Sequence, residues 1–427
     1  MTRALGAPMK DVIIIGAGAA GLMAARELTR AGRSVLILEA NDRIGGRVHT
    51  IQDARAGVPI ELGAEFVHGD APETTRLVDE ARLVTVPVLG KHYRSDDGEL
   101  SPQGPAWQRM RRVFKRMNPD RKIDRSFQEF LDEKPGGASL REERELAFGF
   151  VQGFNGADVS LISEKSISSQ GDPTEGAMSA RRIVRGYGVL LDHLRQTTDA
   201  ELLLRTEVRR VEWSEGRVQV VDAGERRHDA RALIVTVPLP VLQDGDIAFD
   251  PPIDAVTLAA GQLVMGHVQR VILVLKERFW EEKAEELSYL HAPTRPFNVW
   301  WTQHPLQAPV LVGWAGGPPA LELTERGEVE SSALRELARV FGIRRARVEK
   351  LVESLHTYDW SLDPRTRGAY SYIGVGGMNA PRTLARAIDG TVFVAGEATE
   401  SETEGTVEAG LASGKRAARA VLARLHS

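Results

Sequence analysis

The 427-residue sequence carries 55 basic and 59 acidic residues, a formal net charge of -4 and a mean hydropathy of -0.23. That balance gives no electrostatic case for nucleic acid, and no apolar run is long enough for a membrane-spanning helix. Cysteine is absent and the ten histidines lack H-x-x-H or H-E-x-x-H spacing, which excludes disulfides, thiol catalysis and cysteinyl-linked cofactors and predicts no metal site. The opening MTRALGAPMK has no apolar core of a secretory signal, and ARLHS follows an amphipathic helix with no anchor attached. Cytoplasmic localisation is the expectation, and the length allows roughly two or three domains.

Asp11–Ile15 is a short β-branched run that reads as a buried parallel strand. Gly16, Gly18 and Gly21 follow in G-x-G-x-x-G spacing: the first for a tight turn, the second for close approach of a pyrophosphate, the third for helix packing. Ala20, Met23, Ala24, Leu28 and Ala31 form one face of the next helix. Ser34–Leu38 is a second strand, and Glu39 stands about 20 residues past the glycines, where an acid accepts adenosine-ribose hydroxyls. The ordered set predicts a dinucleotide whose pyrophosphate sits on the helix N-terminus, beside Gly16, Gly18, Ala19 and Ala20. NAD and FAD both remain open at this point.

Gly45 and Gly46 then let the backbone pass close to a bulky ligand, and Arg47 is placed for a forked contact with phosphate. Pro59–Gly69, PIELGAEFVHG, is a short strand running into a small-residue turn. Lys91–Pro102 reads as a hairpin around DDG, and Gln108–Phe150 as helices broken at Pro119 and KPGG. The basic cluster Arg109–Arg125 lacks an aromatic stacking set and reads as a solvated helical face. Val208–Val221 and Ala232–Val237 look like strands, Leu263–Leu275 like one long apolar strand, and Ser331–Gly342 like an amphipathic helix. Val392–Ala395 is a strand ending in Gly396 and Glu397. A helix starting near Thr406 carries Val407, Leu411, Gly414, Ala418, Val421 and Leu425 as a stripe; its N-terminus offers N–H groups to an electron-rich acceptor.

Together, DVIIIGAGAAGLMAARELTRAGRSVLILEANDRIGGR, ELGAEFVHG, RIVRGYGVLLDHL, ALIVTVPLPVL, IAFDPPI, DWSLDPRTRGAYSYIGVGG and FVAGEATESETEGTVEAG resemble, in order, the segments of the flavin-containing amine oxidases. These include the monoamine and polyamine oxidases and the lysine-specific histone demethylases. The resemblance covers nearly the whole chain. It implies an α/β fold in which a Rossmann-type FAD-binding domain (1–78, 197–252 and 366–427) is interleaved with an α+β substrate-binding domain (79–196 and 253–365).

It also implies an FAD-dependent enzyme that oxidises an amine: hydride passes from the carbon beside nitrogen to flavin N5, the imine hydrolyses, and dioxygen yields hydrogen peroxide. The alternatives are a desaturase or dehydrogenase using another acceptor, or a non-catalytic FAD-binding protein. With no cysteine, FAD is expected to bind non-covalently. The expected partners are a small amine and dioxygen or another electron acceptor, without nucleic acid or membrane.

The FAD-binding residues implied are Gly16, Gly18, Ala19, Ala20, Glu39, Ala40, Arg43, Gly46, Arg47, Gly63, Ala64, Glu65, Phe66, Val208, Trp360, Gly396, Glu397, Thr406 and Val407. Tyr370 falls where the family places an aromatic wall for the amine, and Thr406 takes the opposite position, similar to polyamine oxidases. His68 matches a flavin-side histidine able to relay a proton. Trp300, Trp301 and Trp314 are cavity candidates, as are Glu402 and Glu404 for a cationic substrate. Where the family usually has lysine, ten residues before the last tryptophan of VMGHVQRVILVLKERFW, this chain has Arg270. A guanidinium there is expected to reach past the lysine's water site toward flavin or substrate.

Overall fold

The computed structural model describes residues 9–104, 106–169, 179–292 and 296–425. Residues 1–8 and 426–427, on which the expectations about the chain's ends rest, lie outside the described residues.

Two sheets organise the molecule. The first runs Glu201–Leu203, Val35–Leu38, Lys10–Ile15, Arg227–Val235, Arg217–Asp222, Val208–Ser214, Ala248–Asp250, with Val392–Val394 pairing in parallel beside Arg227–Val235. Its central strands are buried on both faces, so they read as unbroken apolar runs rather than alternating ones. Helix Ala19–Arg30 covers one face and packs against the C-terminal helix Val407–Leu425. The approach is close: a Cβ at Gly414 would lie 2.2 Å from the Ala20 carbonyl oxygen. Strand ends Ile15, Leu38 and the residues after Val235 and Val394 open on one cavity, the carboxyl edge where open parallel sheets bind ligands.

The second sheet runs Val352–Thr357, Val268–Leu275, Val310–Gly316, Val299–Thr302, Leu287–His291, Lys91–Asp96, Glu99–Pro102. Side chains alternate between its faces. Trp300 therefore points into the core shared with Phe297, Leu311 and Leu337, while Trp301 and Trp314 face the cavity with ring centroids 5.6 Å apart. Of the three tryptophans the sequence offers, Trp300 is core.

The run Leu263–Leu275 is not one strand. Leu263–Met265 pairs with Ser371–Ile373, and Val268–Leu275 enters the second sheet. At Gly266, between them, a Cβ would sit 2.9 Å from the carbonyl oxygens of both Gly156 and Tyr370. Two boundaries of the expected division also shift. Helix Gly188–Gln196, assigned to the substrate side, packs by Leu190, Leu191 and Leu194 with the first helix. Ile253 to Met265 packs with the first sheet.

Helices Ala106–Phe114, Phe127–Asp132 and Arg141–Asn155 stand where the sequence places them. Three arginines of the basic cluster there are paired: Arg109 with Glu142, Arg112 with Glu143, Arg125 with Glu164 and Glu133. Among the described residues no helix is long and apolar enough to cross a membrane.

Candidate active site

One cavity of about 520 Å³ runs from the glycine-rich turn to the second sheet, within the size range of cofactor and substrate sites. The three fingerprint glycines do different work. A Cβ at Gly21 would collide with the Gly16 carbonyl at 2.0 Å, so the third glycine serves packing. Gly16, at φ +105, turns the chain against Thr236, where a side chain is excluded. Gly18 instead faces open space, the nearest atom to its virtual Cβ being Gly45 O at 4.0 Å. It caps helix Ala19–Arg30 with no side-chain hydrogen bond, leaving the first-turn N–H groups for a ligand.

Glu39 ends its strand 5% exposed. Its Oε2 accepts from Ala17 N at 2.7 Å, and its Oε1 from Asn41 N and Nδ2 at 2.8 and 2.9 Å. The carboxylate is thereby held at the cavity wall, and Asn41, which the sequence reading passed over, lines the cavity beside it. At the opposite wall, Thr406 caps the C-terminal helix. Its hydroxyl accepts from Ala409 N at 3.1 Å and donates to Thr403 O, and Thr406, Val407 and Gly410 line the cavity. Glycine space at Gly18, an anchored acid at the strand end and two helix N-termini on one cavity fit a flavin dinucleotide.

Of the residues expected to hold FAD, Gly16, Gly18, Ala19, Ala20, Glu39, Ala40, Gly46, Arg47, Gly63, Ala64, Glu65, Phe66, Val208, Trp360, Gly396, Glu397, Thr406 and Val407 line this cavity. Arg43 does not; its Nη1 donates to the carbonyls of Ile44 and Val48 and ties their turn together. Arg47 lines the cavity, yet its Nη1 donates to Ala369 O at 2.8 Å and Glu397 Oε1 at 2.9 Å. That pair, partly buried, makes Arg47 a brace between the second glycine turn and the C-terminal signature and commits its Nη1 to the protein. Trp360 packs its ring at the cavity while Nε1 donates to Leu62 O.

Glu65 departs furthest from expectation. Buried, it accepts from Arg182 Nε at 2.6 Å, Trp301 Nε1 at 3.1 Å and Gln303 Nε2 at 3.3 Å, and it pairs with Arg270 Nη2. Burial alone would raise its pKa; Arg270 and Arg182 together hold it below the usual carboxylate range. A carboxylate so occupied positions Arg270 at the cavity wall. Arg270 itself donates Nη1 to Gly63 O at 2.8 Å, and its guanidinium lies 5.4 Å from the Trp301 ring centre. The arginine therefore stays at the cavity wall, clamped by the protein, instead of extending freely toward a ligand. Behind it, burial pushes Glu61 up to about 7 despite hydrogen bonds from the Thr50 hydroxyl and Tyr187 N.

Tyr370 packs against the Gly405 backbone, next to Thr406, and its hydroxyl donates to Phe154 O at 2.5 Å. His68 lies between the rings of Phe66 and Phe154, at 5.7 and 5.6 Å. Phe150, Trp301 and Trp314 continue this aromatic wall. Glu404 lines the cavity and Glu402 is exposed outside it. Phe150 and Phe154 went unnoticed in the sequence, although their four-residue spacing on helix Arg141–Asn155 marks one face. Arg270, Tyr370, His68 and Thr406, separated by up to most of the chain, all border the one cavity.

A family model described as flavin containing amine oxidoreductase matches residues 19–422. Among curated proteins, the human lysine-specific histone demethylase 2 is 28% identical over 97% of this chain and 53% of its own length. Polyamine oxidase 2 of Arabidopsis thaliana is 28% identical over 96% of this chain and 87% of its own. The chain thus spans about half the length of the demethylases it matches. Among solved structures, putrescine oxidase bound to putrescine superposes with a TM-score of 0.84 at 23% identity, covering 97% of this chain and 99% of that one. Cyclohexylamine oxidase from Brevibacterium oxydans superposes with 0.83 at 22%, covering 98% and 100%. These structural likenesses establish the fold.

Proposed function

The chain belongs to the flavin-containing amine oxidoreductases, and on that premise we propose that it oxidises a small amine at the cavity where Tyr370, His68 and Arg270 meet the FAD site. The observation that carries this reading is the continuity of one cavity from Gly18 and Glu39 to the aromatic wall. When bound, FAD supplies the acceptor for a hydride from the carbon beside a neutral amine, after which the imine hydrolyses and dioxygen takes the electrons as hydrogen peroxide.

The protein's part is binding, orientation and electrostatics. Glu39 would hold the adenosine ribose, and the N-terminus of helix Ala19–Arg30 would receive the pyrophosphate. The positive end of helix Val407–Leu425 would stabilise negative charge on the ring system. Tyr370 offers the amine a π face and Phe66, Trp301 and Trp314 exclude water from it. His68, half-buried between two rings, takes the amine proton on entry. Anaerobic flavin bleaching against a panel of alkylamines, amino acids and polyamines tests the proposal; a flavin that no amine reduces would sink it.

Tyr370→Ala is expected to slow this reduction by about tenfold, near 1.4 kcal/mol on the barrier, with FAD content unchanged. Unaltered reduction in a less stable protein would make Tyr370 a packing residue only.

A second reading, dehydrogenation with an acceptor other than dioxygen, is favoured by one observation: the Arg270 guanidinium is committed to Gly63 and Glu65. An ammonium is a compact point charge that holds a single water, whereas a clamped guanidinium presents a broad fixed cation. Arg270→Lys is therefore expected to change flavin reoxidation by dioxygen about tenfold or more, with a smaller change in reduction. Stopped-flow measurement of both half-reactions decides between the acceptors. Equal reoxidation rates would mean that Arg270 has no part in the oxygen reaction.

A further inference from the structure

The floor of the cavity is a single row of residues in register across five strands: Arg270 opposite Trp314, Trp314 opposite Val299, Val299 opposite His291, and His291 opposite Arg94. All five line the cavity. Four steps at roughly 4.8 Å make a floor about 19 Å long. Its inner end adjoins the reaction site, because Arg270 bonds Gly63 O, Gly63 abuts the Arg47 carbonyl, and Arg47 bonds Ala369 O beside Tyr370. The middle is apolar and aromatic.

The outer end is polar without being acidic. Gln103 Oε1 and Asn298 Oδ1 are buried and have no hydrogen-bond partner among the described residues. Arg94 spends its Nε on Asp96. The other carboxylate there, Glu145, is exposed and paired with Arg141. His291 bonds His92 at 3.3 Å; burial, with His92 and Arg94 adjacent, holds its imidazole down to about 3, so it stays neutral. An ammonium placed here meets a fixed cation and no unpaired carboxylate. A carboxylate pairs with Arg94 but brings no hydrogen for the two amide oxygens. An uncharged hydroxyl or carboxamide donates to the amides and accepts from the guanidinium.

We propose that the cavity takes a long-chain amine whose far end is an uncharged donor–acceptor group, and that Arg94, Gln103 and Asn298 select that end over a second ammonium. This rests on the amine-oxidation reading above. The test uses holoprotein and three probes of matched chain length: 12-aminododecanol, 1,12-diaminododecane and dodecylamine. Binding is followed by the fluorescence of the cavity tryptophans, and chemistry by anaerobic bleaching. Aminododecanol is expected to bind about tenfold more tightly than diaminododecane, as two added hydrogen bonds permit. Arg94→Met and Gln103→Leu should remove that preference, and dodecylamine should become the tightest of the three, while FAD content, which reports an intact fold, stays at the wild-type level.

Equal or tighter binding of diaminododecane, or a preference that survives both substitutions, overturns the assignment. If aminododecanol is preferred in binding but no probe bleaches the flavin, the selection at the far end stands and the oxidation reading falls.

Discussion

Replacing Glu65 by leucine is expected to cost about 3–5 kcal/mol of stability, because it strands two buried arginines without their shared carboxylate. Arg182 and Arg270 are 3% and 5% exposed. Each retains carbonyl bonds, from Arg182 to Thr302 and His304 and from Arg270 to Gly63, but those dipoles do not cancel two charges in a low-dielectric interior. Glu65→Gln keeps the shape and one acceptor oxygen and should fall between wild type and leucine. Urea unfolding measures both. A leucine variant within about 0.5 kcal/mol of wild type would mean that water, not Glu65, compensates the arginines.

The same pair sets an acid limit. A carboxyl held below its ordinary value of about 4.5 contributes fully above that pH and loses its contribution as pH falls through the lower folded value. The leucine variant should lack that acid-dependent part of the stability curve.

Glu39→Ala is expected to weaken FAD binding by about 1–3 kcal/mol, roughly fivefold to 150-fold in Kd. The cost has two sources. The ribose loses its charged acceptor, and Ala17 N loses the 2.7 Å bond that fixes the glycine turn to the strand end. Titrating FAD into apoprotein and following flavin fluorescence quenching gives the affinity directly. An affinity equal to wild type would remove Glu39 from the site.

What the sequence made legible was whatever lies within one βαβ unit or one helix. Gly16, Gly18, Gly21 and Glu39 are close in the chain, and their spacing encodes their geometry. The stripe from Val407 to Leu425 likewise announced its helix. The clamp on Arg270 was not legible, because Glu65, Arg182 and the pair Trp301 and Gln303 come from three separate segments that only the fold brings together. The brace from Arg47 was hidden for a related reason: its partner Glu397 is 350 residues away. Strand alternation could have separated Trp300 from Trp301, but only once the inward face of that sheet was known. The break at Gly266 was hidden because apolar residues continue on both sides of it, toward two different sheets.

The packing of helix Ala19–Arg30 on helix Val407–Leu425 governs how the protein is made. Residues 19–30 cannot find their partner until residues 407–425 have left the ribosome, and strand Arg227–Val235 waits in the same way for Val392–Val394. At about 5–20 residues per second, the delay is on the order of 20–75 s. Throughout it the stripe of the first helix that the last helix will cover stays bare, a surface of the kind chaperones bind, and the cavity wall at Thr406 and Val407 is not yet in place.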